Sequence, residues 1–204
     1  MFDGIIIGGG PAGMFAAIVA AQRGSKVLLL ERNDRLGKKL LITGKGRCNV
    51  TNACSAQEVL QNIPRNGRFL YSAMESFPPS AIMDFLETHG CSLKVERGNR
   101  VFPVTDKSSS VLECLRNRMH RCGVHIKNAR VLEILADDHG VTGVKTAQEQ
   151  INAKWIILAT GGVSYPTTGA TGDGYEMAKK LGHTIVAPEG SLVPLECSGT
   201  DCPD

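Results

Sequence analysis

The chain has 204 residues, of which 42% are hydrophobic and 21% charged, and its formal net charge is +3. This composition is typical of a globular protein and argues against a disordered or fibrous chain. Because the excess charge is small and no block of like charges occurs, nothing indicates a nucleic-acid partner, and we expect none.

The first residues and the cysteines indicate the compartment. No basic leader precedes the apolar residues 4–7, and the apolar stretch 14–21 is far too short to span a bilayer. The seven cysteines form no C-x-x-C pair, which argues against a disulfide framework or a zinc site. The five histidines are scattered without ligand spacing, so we expect no metal. We therefore expect a cytoplasmic protein with reduced thiols and no membrane partner.

The first 31 residues have the pattern of a β-α-β unit. Residues 4–7 form a short apolar run typical of a buried strand, and residues 11–23 have the pattern of a helix. Gly24 ends that helix, and residues 26–31 form a second buried strand. Two strands joined in this way predict a parallel sheet.

Glycines 8, 10 and 13 fit the pattern G-x-G-x-x-G between the predicted strand and helix. In this pattern the first glycine permits the turn, the second lets the backbone approach a pyrophosphate, and the third lets helix and strand pack closely. Glu31 ends the next strand, where a carboxylate accepts hydrogen bonds from a ribose 2′-OH. These features predict an adenine dinucleotide site; a glycine turn in an unrelated α/β domain is the alternative.

A long segment rich in glycine and basic residues, 32–52, follows Glu31 where a plain nucleotide-binding unit would continue with a helix. Long loops are usually functional, so we expect this loop to contact the ligand; a lid or a partner surface is the alternative. Farther along, residues 56–64 and 80–89 have helical patterns, and residues 99–106 are extended.

The second half of the chain predicts a meander and a last buried strand. Serines 108–110 offer an N-cap to a helix that follows. Four short segments then predict an antiparallel β-meander, over residues 124–126, 130–135, 141–146 and 151–154. Residues 155–158 predict a buried strand that ends at Ala159–Gly162, and residues 174–181 predict a further helix.

The predicted fold class is therefore α/β, with a Rossmann-type parallel sheet and an inserted antiparallel β-meander. Both NAD and FAD carry a free adenosine ribose, so the glycine pattern with Glu31 does not choose between them. An NAD-binding domain normally continues β-α-β without such insertions. The loop at 32–52 and the meander therefore favour FAD.

Four segments resemble the BaiN-like family of NAD(P)/FAD-dependent oxidoreductases: residues 38–52, 99–103, 159–162 and 168–174. The resemblance covers nearly the whole chain and implies that FAD binds across the Rossmann core. It also implies that residues 1–190 form the FAD-binding domain. Residues 191–204 would then begin an inserted substrate-side domain, with the C-terminal half of the same protein missing.

The resemblance further implies a set of cofactor-binding residues. The glycine pattern would hold the pyrophosphate, Glu31 the ribose, and the backbone of Val131 the adenine edge. The loop from Lys39 to Asn52 would line the flavin and its phosphates, and the glycines after the last strand would lie where side chains would clash with the cofactor. The full set is Gly8, Gly10, Pro11, Ala12, Gly13, Glu31, Arg32, Lys39, Leu40, Thr43, Gly44, Gly46, Arg47, Cys48, Asn49, Asn52, Val131, Ala159, Thr160, Gly161 and Gly162.

Three of the side chains in these segments have alternative roles. Arg47 is suited to bidentate contact with a pyrophosphate, and a solvated loop position is the alternative. Cys48 is expected to be structural, because no resolving cysteine lies at C-x-x-C spacing. Asp173 resembles a loop acid of flavoproteins of the fumarate reductase type, or caps the helix that follows it. No residue is assigned a catalytic role.

These observations predict the FAD-binding portion of an oxidoreductase that transfers a hydride through flavin N5. The expected substrate is a small molecule of unknown identity, and NAD(P)H is a candidate electron donor. A non-catalytic FAD-binding module or fragment is the first alternative, and an NAD-dependent dehydrogenase domain is the second.

Overall fold

The structure, a computed structural model, describes residues 1–190. The strands in this region are Gly4–Ile7 (β1), Val27–Glu31 (β2), Thr51–Asn52 (β3), Leu93–Glu96 (β4), Arg100–Pro103 (β5), His125–Asn128 (β6), Val131–Asp137 (β7), Gly140–Thr146 (β8), Gln150–Asn152 (β9) and Trp155–Leu158 (β10). The helices are Pro11–Gln22 (α1), Lys38–Ile42 (α2), Ala56–Gln61 (α3), Tyr71–Ser76 (α4), Pro79–Thr88 (α5), Ser108–Arg121 (α6) and Asp173–Lys180 (α7). The predicted start of a substrate-side domain, residues 191–204, lies outside the described residues.

A parallel sheet with strand order β10-β1-β2-β6 forms the centre of the fold. Strand β1 lies between β2 and β10, with Ile6 level with Leu29 on one side and with Ile157 on the other. Every residue of β1 and β2 is buried, as expected for strands that are covered on both faces. The predicted β-α-β unit and the Rossmann-type parallel sheet are confirmed.

Two hydrophobic clusters lie on opposite faces of this sheet. On one face, Ile6 belongs to the same buried cluster as Met14 of α1 and Met119 of α6. On the other face, Leu28 shares a cluster with Val144 of β8. Successive residues of a strand point to opposite faces, so β1 and β2 supply both clusters and hold the helical layer and the meander against one sheet.

The inserted meander consists of β7, β8 and β9, which pair antiparallel. The prediction that residues 124–126 begin this meander is wrong. Strand β6 instead pairs in parallel with β2, with Ile126 level with Leu29. Helix α6 returns the chain across one face of the sheet, and such a crossover brings the next strand in parallel. The apolar run at 124–126 by itself does not determine which strand it joins.

The segment between β2 and α6 carries a second small sheet with strand order β3-β5-β4. The predicted long loop is partly wrong, because residues Lys38–Ile42 form helix α2 and its Leu40 is buried in the core. Helix α4 and strand β4 have no counterpart among the predicted elements. Only four residues form β4, and none of them is fully buried, so the apolar pattern that identifies a buried strand is absent there.

The start of helix α6 also differs from the prediction. Lys107 occupies the N-cap position and makes no side-chain cap, whereas serines 108–110 lie inside the first turn. Ser108 is buried, and its hydroxyl donates a hydrogen bond to the carbonyl oxygen of Leu41 at 3.0 Å. This serine therefore joins α6 to α2 instead of capping the helix.

The helices of residues 1–190 are short; α6 has 14 residues and α1 has 12. None of the helices in this region combines the length and the apolar character needed to cross a membrane. The same region holds no group of three or more His, Cys, Asp or Glu side chains placed to bind a metal ion.

Candidate cofactor-binding site

A cleft of about 650 Å³ lies at the carboxyl ends of β1, β2 and β10. These neighbouring strands run in parallel, so the residues that follow them meet at one edge of the sheet, where open α/β sheets bind their ligands. Many of the predicted cofactor contacts line this cleft: Gly8, Gly10, Pro11, Ala12, Glu31, Arg32, Lys39, Val131, Ala159, Thr160, Gly161 and Gly162.

The glycines at the start of α1 are required for different reasons. Gly8 has a φ of +111°, and a Cβ there would overlap the carbonyl oxygen of Ala159. A Cβ at Gly13 would overlap the carbonyl oxygen of Gly8. Gly10 differs from both, because its φ of −76° suits any residue and a Cβ there would meet no atom of residues 1–190 within 4 Å.

Neither the backbone conformation nor protein packing requires a glycine at Gly10 or at Gly162. A Cβ at Gly162 would make one ordinary contact, 3.6 Å from the hydroxyl of Tyr175. Both glycines nevertheless line the cleft, where an added side chain would occupy ligand space. Helix α1 begins directly after Gly10 with no side-chain cap, which leaves backbone N–H groups and the positive end of the helix dipole at the cleft. These residues fit a pyrophosphate.

Glu31 forms part of the cleft wall at the end of β2 and is 8% exposed. Its Oε2 accepts a hydrogen bond from the backbone N–H of Gly9 at 2.6 Å. Its Oε1 accepts from the backbone N–H of Asn33 at 2.8 Å and from the Asn33 side-chain amide at 2.7 Å. The carboxylate is therefore fixed in position, and its remaining lone pairs can accept hydrogen bonds from ribose hydroxyls.

Asp173 forms ion pairs with two arginines at the side of the cleft. Its Oδ2 lies 2.9 Å from Arg32 Nη1 and 2.9 Å from Arg130 Nη2, while its Oδ1 accepts a hydrogen bond from the hydroxyl of Thr171 at 2.6 Å. The hydrogen bond from Thr171, followed by the interactions with Arg130 and Arg32, holds the pKa of Asp173 below its ordinary value. The N-cap of α7 is Gly172 and Asp173 is the first helical residue, so the predicted capping role is wrong.

The other predicted contacts do not line this cleft. Gly13 is buried beneath the turn at Gly8, and Leu40 and Cys48 belong to the core. The amide of Asn52 donates to the carbonyl oxygen of Gly98 at 2.9 Å, in the small sheet. The predicted cofactor contacts that do not line the cleft are Gly13, Leu40, Thr43, Gly44, Gly46, Arg47, Cys48, Asn49 and Asn52.

Arg47 lies in an ion-pair network in the small sheet. Its guanidinium pairs with Glu96, and it contacts Asp106 Oδ1 through Nη2 at 2.6 Å. Lys94 joins the same carboxylates, with its Nζ 2.6 Å from Asp106 Oδ2. The guanidinium also lies over the ring of Phe102, 4.2 Å from its centroid. These contacts occupy the guanidinium that was expected to bind a pyrophosphate.

The thiol of Cys48 is buried in the core. Burial raises its pKa, and a hydrogen bond with Thr43 opposes that effect. A thiol in this state is a poor nucleophile. Its environment is that of a structural cysteine.

Several residues that line the cleft are not among the predicted contacts. Asn33 and Arg130 lie beside Glu31 and Asp173, and the segment from Thr168 to Gly174 closes one side. The sequence did contain a signal for this segment, because residues 168–174 form one of the four stretches that resemble the BaiN-like family. Nothing local marks Arg130, whose partner Asp173 lies 43 positions along the chain. Asn33 lies only two positions after Glu31, to which it donates two hydrogen bonds, so its place beside that residue was a signal in the sequence.

Comparison with known proteins identifies relatives that match most of the chain. The chain is 33% identical to the 3-dehydro-bile acid delta(4,6)-reductase of Clostridium scindens over 193 residues, which cover 94% of this chain and 46% of that protein. It is 31% identical to the ribosomal RNA dihydrouridine synthase of Escherichia coli over 194 residues, which cover 95% of this chain and 48% of that protein. The chain therefore spans about half the length of these relatives.

Solved structures share the fold. The open conformation of a flavocytochrome c3 fumarate reductase matches 88% of this chain and 40% of its own, with a TM-score of 0.65 and 25% identity. The 3-ketosteroid-delta4-(5alpha)-dehydrogenase of Rhodococcus jostii has a TM-score of 0.67 at 19% identity, covering 89% of this chain and 54% of its own, and shows the fold alone. The model of the HI0933-like protein Rossmann domain matches residues 2–198. The chain belongs to this HI0933-like family of Rossmann domains, whose cofactor is FAD, and the FAD expected from the sequence is confirmed.

Proposed function

We propose that this chain is the FAD-binding part of an oxidoreductase that reduces a carbon–carbon double bond conjugated to a carbonyl group. The observation that carries the proposal is the cleft at Gly10 and Gly162, where the absence of a side chain leaves room for a ligand that no side chain of residues 1–190 fills. FAD in such a cleft supplies hydride transfer at N5. Because the cofactor of this family is FAD and not NAD, the alternative of an NAD-dependent dehydrogenase domain is less well supported.

The names of the two curated relatives support the choice of reaction. A delta(4,6)-reductase acting on a 3-dehydro bile acid reduces double bonds conjugated to the 3-keto group. A dihydrouridine synthase reduces the ring double bond of uracil, which is conjugated to a ring carbonyl. The bond that accepts the hydride has the same electronic character in both cases. We favour a small-molecule enone as the substrate of this chain, because its net charge is only +3.

In this proposal the residues of the chain bind and orient the cofactor. The N-terminus of α1 and the open position at Gly10 hold the pyrophosphate, and Glu31 accepts hydrogen bonds from the adenosine ribose. The backbone of Val131 meets the adenine edge, while Thr160 and Gly162 leave the cofactor surface uncovered by larger side chains. The groups that orient the substrate would come from the remainder of the protein, since this chain spans about half of its curated relatives.

The experiment measures reduction and reoxidation of the flavin in the complete gene product. The protein encoded by the gene with any continuation beyond Asp204 is purified, its visible spectrum is recorded, and NADH or NADPH is added without oxygen. We expect bleaching of the flavin bands, and their return on addition of a 3-keto-4,6-diene steroid. Return with uridine-containing RNA alone would assign the RNA substrate instead, and absence of flavin bands would refute the proposal.

The second candidate is a non-catalytic FAD-binding module, which the limited share of the relatives covered by this chain favours. It predicts a flavin spectrum that neither nicotinamide nucleotide bleaches, and no substrate turnover. Reduction of an enone by the purified gene product would exclude this candidate.

A further inference from the structure

We propose that Asn33 is the positioning residue for the Glu31 carboxylate and that it couples this carboxylate to the loop that carries Thr168 and Gly169. Asn33 lies outside the G-x-G-x-x-G pattern and outside the four segments that resemble the BaiN-like family. It lies at the cleft, next to the position that Glu31 offers to the adenosine ribose. The proposal concerns binding of FAD and does not depend on which substrate the enzyme reduces.

The first observation is the double contact between Asn33 and one carboxylate oxygen. The backbone N–H and the side-chain amide of Asn33 both donate to Glu31 Oε1, at 2.8 Å and 2.7 Å. Gly9 donates to the other oxygen at 2.6 Å. Three neutral donors thus fix the plane of a mostly buried anion. Because the Glu31 carboxylate is already ordered, binding of the ribose hydroxyl does not have to restrict its rotation, and that entropic cost is avoided.

The second observation is that the same side chain reaches the other wall of the cleft. The Asn33 amide donates to the carbonyl oxygen of Thr168 at 3.2 Å, and the backbone carbonyl of Asn33 accepts from the amide of Asn128. A Cβ at Gly169 would lie 2.7 Å from Asn33 Nδ2. Glycine at 169 therefore makes room for the amide, and Asn33 connects the end of β2, the end of β6 and the loop before α7.

The third observation concerns the charges around Glu31. The cations that line the cleft have other partners: Arg32 and Arg130 pair with Asp173, and Lys38 pairs with Asp34. The Nζ of Lys39 lies 3.3 Å from the hydroxyl of Ser164. Among the ion pairs of residues 1–190, none involves Glu31. The position of the anion thus depends on neutral donors, and Asn33 supplies two of the three, so a charge at residue 33 acts directly on Glu31.

The test uses two variants of Asn33 and one charge-matched control in the 204-residue chain. Asn33→Asp keeps the shape but places a second carboxylate against Glu31, and Asn33→Ala removes the amide without adding charge. Asn66→Asp adds the same charge at an exposed position that is not part of the cleft lining. The dissociation constant for FAD is measured by fluorescence titration from pH 5 to pH 8, and the thermal unfolding midpoint is measured over the same range without FAD.

We expect Asn33→Asp to weaken FAD binding by about tenfold or more at pH 8 and to recover most of that loss at pH 5, because a neighbouring anion favours protonation of the introduced carboxyl group, which then no longer repels Glu31. Without FAD, the thermal unfolding midpoint of Asn33→Asp also falls as pH rises from 5 to 8. Asn33→Ala weakens binding by a factor that does not change with pH, and Asn66→Asp behaves like the wild type. Binding by Asn33→Asp within about twofold of the wild type at every pH, a loss equal to that of Asn33→Ala at every pH, or failure of the wild-type chain to bind FAD would overturn the proposal.

A glycine pair tests the coupling independently should the Asn33 variants not fold. Gly169→Ala displaces the Asn33 amide, and Gly182→Ala imposes similar backbone strain, since φ is +98° at Gly169 and +88° at Gly182. A Cβ at Gly182 would meet no atom of the described residues within 4 Å. We expect only Gly169→Ala to weaken FAD binding beyond the effect of strain. Equal affinities for the two variants would show that Gly169 does not act through Asn33.

Discussion

A side chain does not fit at Gly13, because a Cβ there would overlap the carbonyl oxygen of Gly8. Helix α1 therefore packs directly against the turn that leaves β1. This contact sets how far the N-terminus of α1 stands from the end of β1, and thereby where the helix presents its free N–H groups. The packing of one helix on one strand is thus part of the cofactor site, although Gly13 itself does not line the cleft.

We expect Gly13→Ala to destabilise the protein even though alanine favours helices. The helix propensity of alanine would contribute about 1 kcal/mol in favour of the variant. The overlap with a backbone oxygen that cannot move aside costs roughly 1–3 kcal/mol, as overpacked sites do. The overlap therefore wins, and urea denaturation should give a lower midpoint. A midpoint at or above that of the wild type would show that α1 can shift away from β1 freely.

Gly10→Ala should have the opposite profile, with stability retained and FAD affinity lost. The backbone at Gly10 suits alanine, and in the part of the chain that the structure describes the added methyl group meets no atom within 4 Å. In the complex it would overlap the pyrophosphate, and an overlap cost of roughly 1–3 kcal/mol corresponds to a complex weaker by about fivefold to 150-fold. Valine at this position should abolish binding. Equilibrium dialysis against FAD and urea denaturation of the free chain measure the two effects separately.

The buried thiol of Cys91 should make the protein less stable in alkali. Burial raises the pKa of Cys91 from 9.0 to about 11, because the core disfavours the thiolate. The protonated thiol of Cys91 therefore makes its full contribution to the free energy of unfolding below about pH 9, and this contribution is lost as pH rises toward 11. We expect Cys91→Ala to reduce the loss of unfolding free energy between pH 8 and pH 10.5 by on the order of 1 kcal/mol. Cys54→Ala, at a half-buried position, is the control and should follow the wild-type curve.

The elements that the sequence predicts correctly are those defined by neighbours along the chain. The strand, turn and helix around Gly8, Gly10 and Gly13 form one continuous segment, so glycine spacing and apolar runs contain the needed information. Glu31 belongs to the same unit because it ends the next strand. Gly8, Gly10 and Glu31, together with Ala159 and Gly162 after β10, line the cleft as expected, whereas Gly13 lies beneath the turn.

The features that the sequence does not predict depend on contacts between distant residues. The pairing of β6 with β2 is set by where α6 returns the chain, and the apolar run in β6 does not contain that information. The donors that hold Glu31 include Gly9, 22 positions away. The partners of Arg47 are Glu96 and Asp106, which lie 49 and 59 positions farther along the chain. From the sequence alone, the positive charge of Arg47 suggests a phosphate partner, whereas the fold brings two carboxylates to it.

Arg47→Met tests whether this arginine serves the small sheet or the cofactor. Its partners at Glu96 and Asp106 have pKa values below the ordinary range, Glu96 first through the hydrogen bond from Arg47 and Asp106 first through that from Lys94. Carboxylates with lowered pKa values stabilise the fold above their unfolded pKa, and the contribution is lost as pH falls below about 4. We therefore expect the variant to be less stable than the wild type at pH 7 and nearly equal to it at pH 3.

The same variant should bind FAD within about twofold of the wild type, because the guanidinium is committed to Glu96, Asp106 and the ring of Phe102. Arg100→Met is the matched control, since it removes an exposed cation from the same sheet without breaking the ion pairs of Arg47. It should change neither the stability at pH 7 nor the affinity. If Arg47→Met instead weakens FAD binding strongly while Arg100→Met does not, the guanidinium leaves its carboxylate partners and contacts the pyrophosphate when the cofactor binds.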